Sequence, residues 1–243
     1  MRANELYLDL IKRSVSNFLY LGKDRPFNEF KSIQDGRYQD FKWNIPRDSQ
    51  PHSLLSAAQL DLLEELILKI EREKIPGDFI EAGIWRGGAV IFMRAVLEAY
   101  SIPDRKIYAA DSFEGIPYNE KIKGDPVDAW QDRWQAGFEE VAGNISRYGL
   151  LDDRIEFIRG YFNDSLATAK IGKLALVRLD ADSHDSTTDA LTHLYPKLSQ
   201  GGAIIIDDWH LPGCRLAVKE FREAQKIVAP INFDAPNKYW IKE

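Results

Sequence analysis

Two apolar runs in this chain end in clustered carboxylates. Ile204-Ile205-Ile206 leads into Asp207-Asp208, and about 27 residues upstream Leu174-Ala175-Leu176-Val177-Arg178-Leu179 leads into Asp180-Ala181-Asp182. Runs of this composition read as buried strands. Anionic groups gathered at buried strand ends repel one another, and desolvating each costs on the order of several kcal/mol unless a cation or donors compensate. In an open α/β sheet, ligands bind outside the carboxyl ends of the strands. The economical reading is that Asp180, Asp207 and Asp208 hold a hard, oxygen-preferring divalent cation beside a substrate. The plainer alternative is three aspartates, each capping its own helix.

A second cluster precedes them. Glu81-Ala82-Gly83-Ile84-Trp85-Arg86-Gly87-Gly88 follows a short apolar strand at Asp78–Ala82. Glycine where a strand turns into a helix lets the backbone approach a ligand closely and leaves helix N–H groups available. The spacing matches neither the dinucleotide fingerprint nor a P-loop. Asp111, about 30 residues on, closes the next strand and is placed to accept from both hydroxyls of an adenosine ribose. The alternative for Asp111 and Ser112 is a capping pair. Glu81 could accept from the amino group of a bound amino-acid moiety. Together these features suit S-adenosylmethionine better than a nicotinamide cofactor, because there is no pyrophosphate to cradle. An adenine slot is expected around Gly160-Tyr161-Phe162-Asn163-Asp164-Ser165, with Asp164 either contacting the base or capping a short helix.

The elements that must position these residues follow from periodicity. Glu5–Tyr20 and Ser56–Lys74 carry apolar residues at helical spacing. Between them, from Gly22 to Pro51, Phe27, Phe30, Tyr38, Phe41 and Trp43 lie among Pro, Gly and Asp, as in a loop that packs on something, a lid or a binding wall. From Asp78 onward, strands at Asp78–Ala82, Lys106–Asp111, Arg154–Ile158, Leu174–Leu179 and Ala203–Ile206 alternate with helices at Gly88–Tyr100, Phe138–Tyr148, Asp164–Ala169, Ser186–Leu198 and Cys214–Gln225. Such alternation predicts a parallel sheet covered on both faces. Ile231–Ile241, with Ala235-Pro236-Asn237-Lys238 at its centre, reads as a closing hairpin. The division expected is an N-terminal helical and lid segment, 1–75, and a catalytic domain, 76–243. Gly115–Trp134 is an insertion that is either a surface loop or a flap over the carboxyl edge of the sheet.

The 243 residues carry a net charge of −6, with no basic run to attract nucleic acid. No apolar stretch approaches the roughly 18 residues needed to span a membrane, and the acidic N-terminus is not a secretion signal. Cys214, the one cysteine, rules out an intramolecular disulfide and reads as a packing residue. A cytoplasmic protein is expected.

Gly77–Ala89, Ala110-Asp111-Ser112-Phe113-Glu114-Gly115, Tyr148–Asp153, Arg178–Ser183, Leu191–Leu198 and Gly201–Asp208 form a set of blocks in a characteristic order and spacing. In these blocks, and from about Glu5 to the C-terminus, the chain resembles the macrocin/mycinamicin family of metal-dependent sugar O-methyltransferases. It implies a class I methyltransferase fold, a Rossmann-like seven-stranded sheet with a C-terminal antiparallel hairpin. It implies S-adenosylmethionine and magnesium as cofactors and a sugar hydroxyl of an antibiotic-type glycoside as acceptor. Asp180, Asp207 and Asp208 would then be the metal ligands and Asp182 a candidate general base. Glu81, the turn containing Gly83, Trp85, Arg86 and Gly87, and Asp111-Ser112 would surround the cofactor.

His184 stands where an aromatic is expected in relatives and is the rival base. His210 is as suited to lining the pocket as to chemistry, while His52 and His193 read as structural. The N-terminal helix and the aromatic loop offer a face for self-association, and a homo-oligomer, dimer or tetramer, is expected. A catechol-type O-methyltransferase with the same metal logic is the alternative enzyme. A non-catalytic adenosine-binding protein is the alternative of another class.

Overall fold

The structure, a computed structural model, describes residues 2–19, 50–117 and 134–243. The expected aromatic loop falls outside these residues except at its last two positions. Of the Gly115–Trp134 insertion, only 115–117 and Trp134 are described.

Two helices, α1 (Ala3–Val15) and α2 (Ala57–Arg72), precede the sheet. The start of α2 is set by a capping box: Ser56 Oγ accepts from the Gln59 N–H, and the Gln59 side chain accepts from the Ser56 N–H. Strands β1 (Asp78–Ala82), β2 (Ile107–Asp111), β3 (Ile155–Arg159), β4 (Leu174–Leu179) and β5 (Leu198–Ile206) then alternate with α3 (Gly88–Ala99), α4 (Phe138–Arg147), α5 (Phe162–Thr168) and α6 (His184–Leu194). Helix α7 (Pro212–Ala224) and the edge strand β6 (Lys238–Ile241) complete the described chain.

The strand order is β3-β2-β1-β4-β5-β6, all parallel except β6. The winding direction reverses between β1 and β4, which opens a crevice at their carboxyl ends. Burial follows the two-residue period of the strands. Phe79, Ile107, Ala109, Leu176, Ala203 and Ile205 pack on one face with α1, α2 and α3. Ile80, Ala82, Ala110, Val177, Leu179, Ile204 and Ile206 pack on the other with α5, α6 and α7. Leu8, Ile11 and Val15 of α1 belong to the first cluster, so the N-terminal helices share a core with the sheet.

Three expectations are adjusted. The sheet has six strands among the described residues, not seven: the segment before β6 makes a single bridge, Asn232 with Tyr239. Pro230 and Pro236 bracket it, and proline cannot donate to a ladder. Helix α6 starts two residues earlier than expected, with Ser183 Oγ accepting from the Ser186 N–H as its cap. Strand β5 starts at Leu198, the glycine pair being accommodated within it. Among the described residues, no helix is long and apolar enough to cross a membrane.

Candidate active site

A cavity of about 550 Å³ opens at the reversal between β1 and β4. It is walled by Leu54, Leu55, Trp85, Trp134, Tyr161 and Phe162, with Glu81, Asp111, Arg178, Asp180, Asp182, Asp207 and Asp208 as its charged groups. Among the described residues, a cluster of carboxylates therefore shares one largely apolar chamber with a single guanidinium, Arg178.

The glycine turn is built by backbone crowding. Gly83 has φ +88°, and a Cβ there would lie 1.7 Å from the Asp180 carbonyl oxygen, so only glycine lets β1 and β4 close at this point. Gly87 caps α3 in the left-handed region, and a Cβ on it would meet Val141 of α4 at 3.2 Å. The turn is then held by Asp111. Its Oδ2 accepts from the N–H groups of Ile84 and Trp85 at 2.8 and 3.2 Å, and its Oδ1 from Phe113 at 2.8 Å. These bonds fix Trp85 at φ +44°, a conformation that costs a non-glycine residue free energy. A carboxylate offers about four acceptor sites. Three are taken by these backbone donors. Burial raises its proton affinity against these three backbone donors and the Ser112 side chain.

Glu81 lies beside Arg178 in the β1–β4 register, and the two form a buried ion pair through Glu81 Oε1 and Arg178 Nη1. Burial pushes the Glu81 carboxyl up to about 8 despite that partner. Its second oxygen, Oε2, is buried with no hydrogen-bond partner among the described residues. A buried acceptor of this kind is costly unless a ligand supplies the donor, and a ligand ammonium fits it.

Asp180, Asp207 and Asp208 each offer an oxygen within 4.8 Å of the others. One oxygen of each is anchored by a nitrogen donor. Asp180 Oδ2 accepts from Arg178 Nη1 at 2.9 Å. Asp207 Oδ1 accepts from Arg178 Nη2 at 2.6 Å and Asn237 Nδ2 at 2.8 Å. Asp208 Oδ2 accepts from the Asp182 N–H at 3.0 Å. The remaining oxygen of each accepts from no N–H among the described residues, which is the donor set a hard dication takes. Burial, then repulsion from Asp207, raises Asp180 to about 6. Burial and the neighbouring carboxylates push Asp182 and Asp208 well above the carboxylate range. Asp182 lines the cavity at φ +57°, in the left-handed region.

Other expected site residues lie elsewhere. His184 does not line the cavity: at the start of α6 its Nδ1 meets Asp185 Oδ1 and its Nε2 meets Glu220 Oε2, both at 2.9 Å. Partial burial opposes protonation there, but the two carboxylates outweigh it. Arg86 turns away toward α4, where it pairs with Glu140 at 2.5 Å, and Asn144 donates to its carbonyl. Gly87 is likewise absent from the wall. Asp164 is exposed on α5, while Tyr161 and Phe162 of the segment expected to form an adenine slot line the cavity. Ser112 contributes to the wall, but its hydroxyl is spent locally, donating to the Gly115 carbonyl at 2.7 Å and accepting from the Glu114 N–H.

The sequence reading missed Arg178, Asn237 and the crossing segment His52–Leu55. The arginine had a signal, a charge inside an otherwise apolar strand, where such a residue needs partners. His52 had none. Its carbonyl accepts from the Gly88 N–H at 2.9 Å, its Nδ1 meets the Tyr148 hydroxyl at 2.8 Å, and burial then Arg86 push its pKa down to about 4. His210 lines the cavity.

Known proteins match this chain over nearly its whole length. The family profile described as Macrocin-O-methyltransferase (TylF) matches residues 4–242. The chain is 40% identical to mycinamicin III 3''-O-methyltransferase of Micromonospora griseorubida, over 97% of this chain and 96% of that protein. It is 39% identical to the 8-demethyl-8-(2,3-dimethoxy-alpha-L-rhamnosyl)-tetracenomycin-C 4'-O-methyltransferase of Streptomyces olivaceus, over 98% and 93% of the two chains. The solved structure of the O-methyltransferase NovP superposes with a TM-score of 0.86 at 33% identity, covering 98% of this chain and 99% of that one. The chain thus belongs to the macrocin O-methyltransferase family and is an O-methyltransferase.

Proposed function

We propose that this chain transfers a methyl group from S-adenosylmethionine to a sugar hydroxyl of a glycosylated natural product, with magnesium as the cation. The observation that carries this reading is the sharing of one cavity by the Asp180–Asp207–Asp208 trio and the unpartnered oxygen of Glu81. The names of the relatives, which act on mycinamicin and tetracenomycin glycosides, support the acceptor class.

Glu81 Oε2 would receive the cofactor's ammonium, Asp111 the ribose, and Tyr161 with Phe162 the adenine. Asp180, Asp207 and Asp208 would hold the magnesium. S-adenosylmethionine supplies an activated methyl group, and magnesium supplies Lewis acidity toward an alcohol. The protein's own residues do the rest. Asp182, half-buried beside other carboxylates that raise its proton affinity, would be the general base that takes the hydroxyl proton. The walls of Leu55, Trp85, Trp134 and Tyr161 exclude water and hold two reactants in one orientation.

The experiment is methyl transfer to a deoxysugar glycoside and to a catechol, each before and after exhaustive chelation. We expect transfer to the glycoside, lost on chelation and restored by magnesium. Transfer to the catechol alone would replace the acceptor class, and full activity after chelation would remove the cation.

A further inference from the structure

Arg178 makes three contacts that no other described side chain in the cavity can combine. Its Nη1 meets both Glu81 Oε1 and Asp180 Oδ2, and its Nη2 meets Asp207 Oδ1. The guanidinium is 2% exposed, and burial alone would depress its protonation. Asp207, Asp180 and Glu81 more than reverse that, so it remains charged. The strand period explains the geometry: Glu81, Arg178 and Asp180 all project from the sheet face that packs on α3, at the point where β1 and β4 meet.

We propose that Arg178 is a positioning residue that fixes the ammonium-binding carboxylate and two of the cation-binding carboxylates with one rigid fork, so that the two subsites are held at a set separation. The proposal rests on the reading of the preceding subsection. The fork engages one oxygen of each carboxylate, Oε1 of Glu81, Oδ2 of Asp180 and Oδ1 of Asp207, and does not engage the other oxygen of any of them. Asn237 shares this task at Asp207 only, donating to the same Oδ1, and does not reach Glu81. Guanidinium planarity is essential here, because an ammonium is a point donor that cannot present fixed parallel N–H groups to three acceptors. A purely electrostatic role makes the opposite prediction. An arginine that only repels an incoming cation would, when removed, leave a more negative site that binds the cation more tightly.

The test measures Mn²⁺ binding by electron paramagnetic resonance and S-adenosylhomocysteine binding by calorimetry, on folded protein and without turnover. Residues that orient metal ligands typically contribute about 10- to 100-fold in metal affinity. We expect Arg178→Lys, which keeps the charge, to weaken Mn²⁺ by at least about tenfold, and to weaken S-adenosylhomocysteine as well. Asn237→Ala should weaken Mn²⁺ and leave S-adenosylhomocysteine unchanged. Tighter Mn²⁺ binding in Arg178→Lys or Arg178→Met, or a change in one ligand alone in Arg178→Lys, would overturn the proposal. If neither arginine variant folds, the wild-type crystal with both ligands decides: the guanidinium must still bridge Glu81, Asp180 and Asp207, and one swung away contradicts the role. Wild-type protein that binds neither Mn²⁺ nor S-adenosylhomocysteine would instead sink the functional reading itself.

Discussion

The backbone N–H of Asp182 donates to Asp208 Oδ2 at 3.0 Å, from a residue whose own φ is +57°. A left-handed non-glycine residue costs on the order of 1–3 kcal/mol and persists only where its surroundings over-determine it. Here the strained turn does two things: the main chain of Asp182 holds Asp208, a cation ligand in the proposed reading, while its own carboxyl lines the cavity. Asp182→Asn keeps the main-chain bond and removes the proton acceptor. It should lower kcat by roughly 10²- to 10⁴-fold while leaving Mn²⁺ affinity within a few-fold. Steady-state kinetics with parallel binding titrations check this, and a kcat within twofold of wild type would move the base elsewhere.

Asp180→Asn and Asp207→Asn each remove a charge from the trio and should abolish transfer. Cofactor affinity should stay within a few-fold, because Glu81 and Asp111 are untouched. Single-turnover assays beside calorimetry separate the two quantities.

His184→Ala should leave kcat/KM within about threefold, since its ring nitrogens engage Asp185 and Glu220 outside the cavity. Its pairings are with partly exposed carboxylates, and such pairs contribute about 0–1 kcal/mol. A large drop in kcat with unchanged thermal stability would restore the residue to the chemistry.

Gly83→Ala and Gly87→Ala separate two reasons for glycine. At Gly83 the added carbon would overlap a main-chain carbonyl that cannot move without parting β1 from β4. At Gly87 it would press on the side chains of Val141 and Ile145, which can yield by a few tenths of an ångström. Overpacking costs typically about 1–3 kcal/mol and occasionally more, and the left-handed backbone adds to it at both sites. Gly83→Ala should therefore lower Tm by roughly 10 °C or more, at about 2–4 °C per kcal/mol for a domain of this size. Gly87→Ala should lower it less. Calorimetric scans rank the two.

The ligand-free protein should lose stability as pH rises from about 4.5 toward about 8. Glu81 holds its proton far more tightly in the folded chain, where it titrates near 8, than in the unfolded one, where it titrates near 4.5. Between those values the folded state binds more protons, so stability falls with rising pH. The contribution is fully present below about 4.5 and gone above about 8. Asp180, raised to about 6, acts in the same direction at lower pH. A dication binds the ionised carboxylates and should therefore raise Tm more at pH 8 than at pH 5. Thermal scans with chelator and with magnesium at both pH values measure the difference.

How far the sequence could be read depended on whether a residue's partners were local. Asp180, Asp207 and Asp208 were legible because apolar strands ending in acid announce a site by composition and register alone, and the alternating pattern placed both strand ends on one edge. Glu81 stood out for another reason, its place just before the glycine turn. Arg86 and Asp164 were misplaced because motif adjacency does not fix direction: Arg86 is buried against α4, paired with Glu140 and off the cavity wall, and the first turn of α5 carries Asp164 to the surface. Asn237 and His52 reach the site from distant parts of the chain, through contacts that no spacing encodes.

The most direct measurement is anomalous diffraction from a crystal of the wild-type protein soaked in Mn²⁺. The account predicts one strong peak per chain, within bonding distance of carboxylate oxygens from Asp180, Asp207 and Asp208, and no peak in Asp207→Asn. A clean map showing those side chains bonded only to Arg178, Asn237 and the Asp182 N–H, with the manganese elsewhere or nowhere, would contradict it.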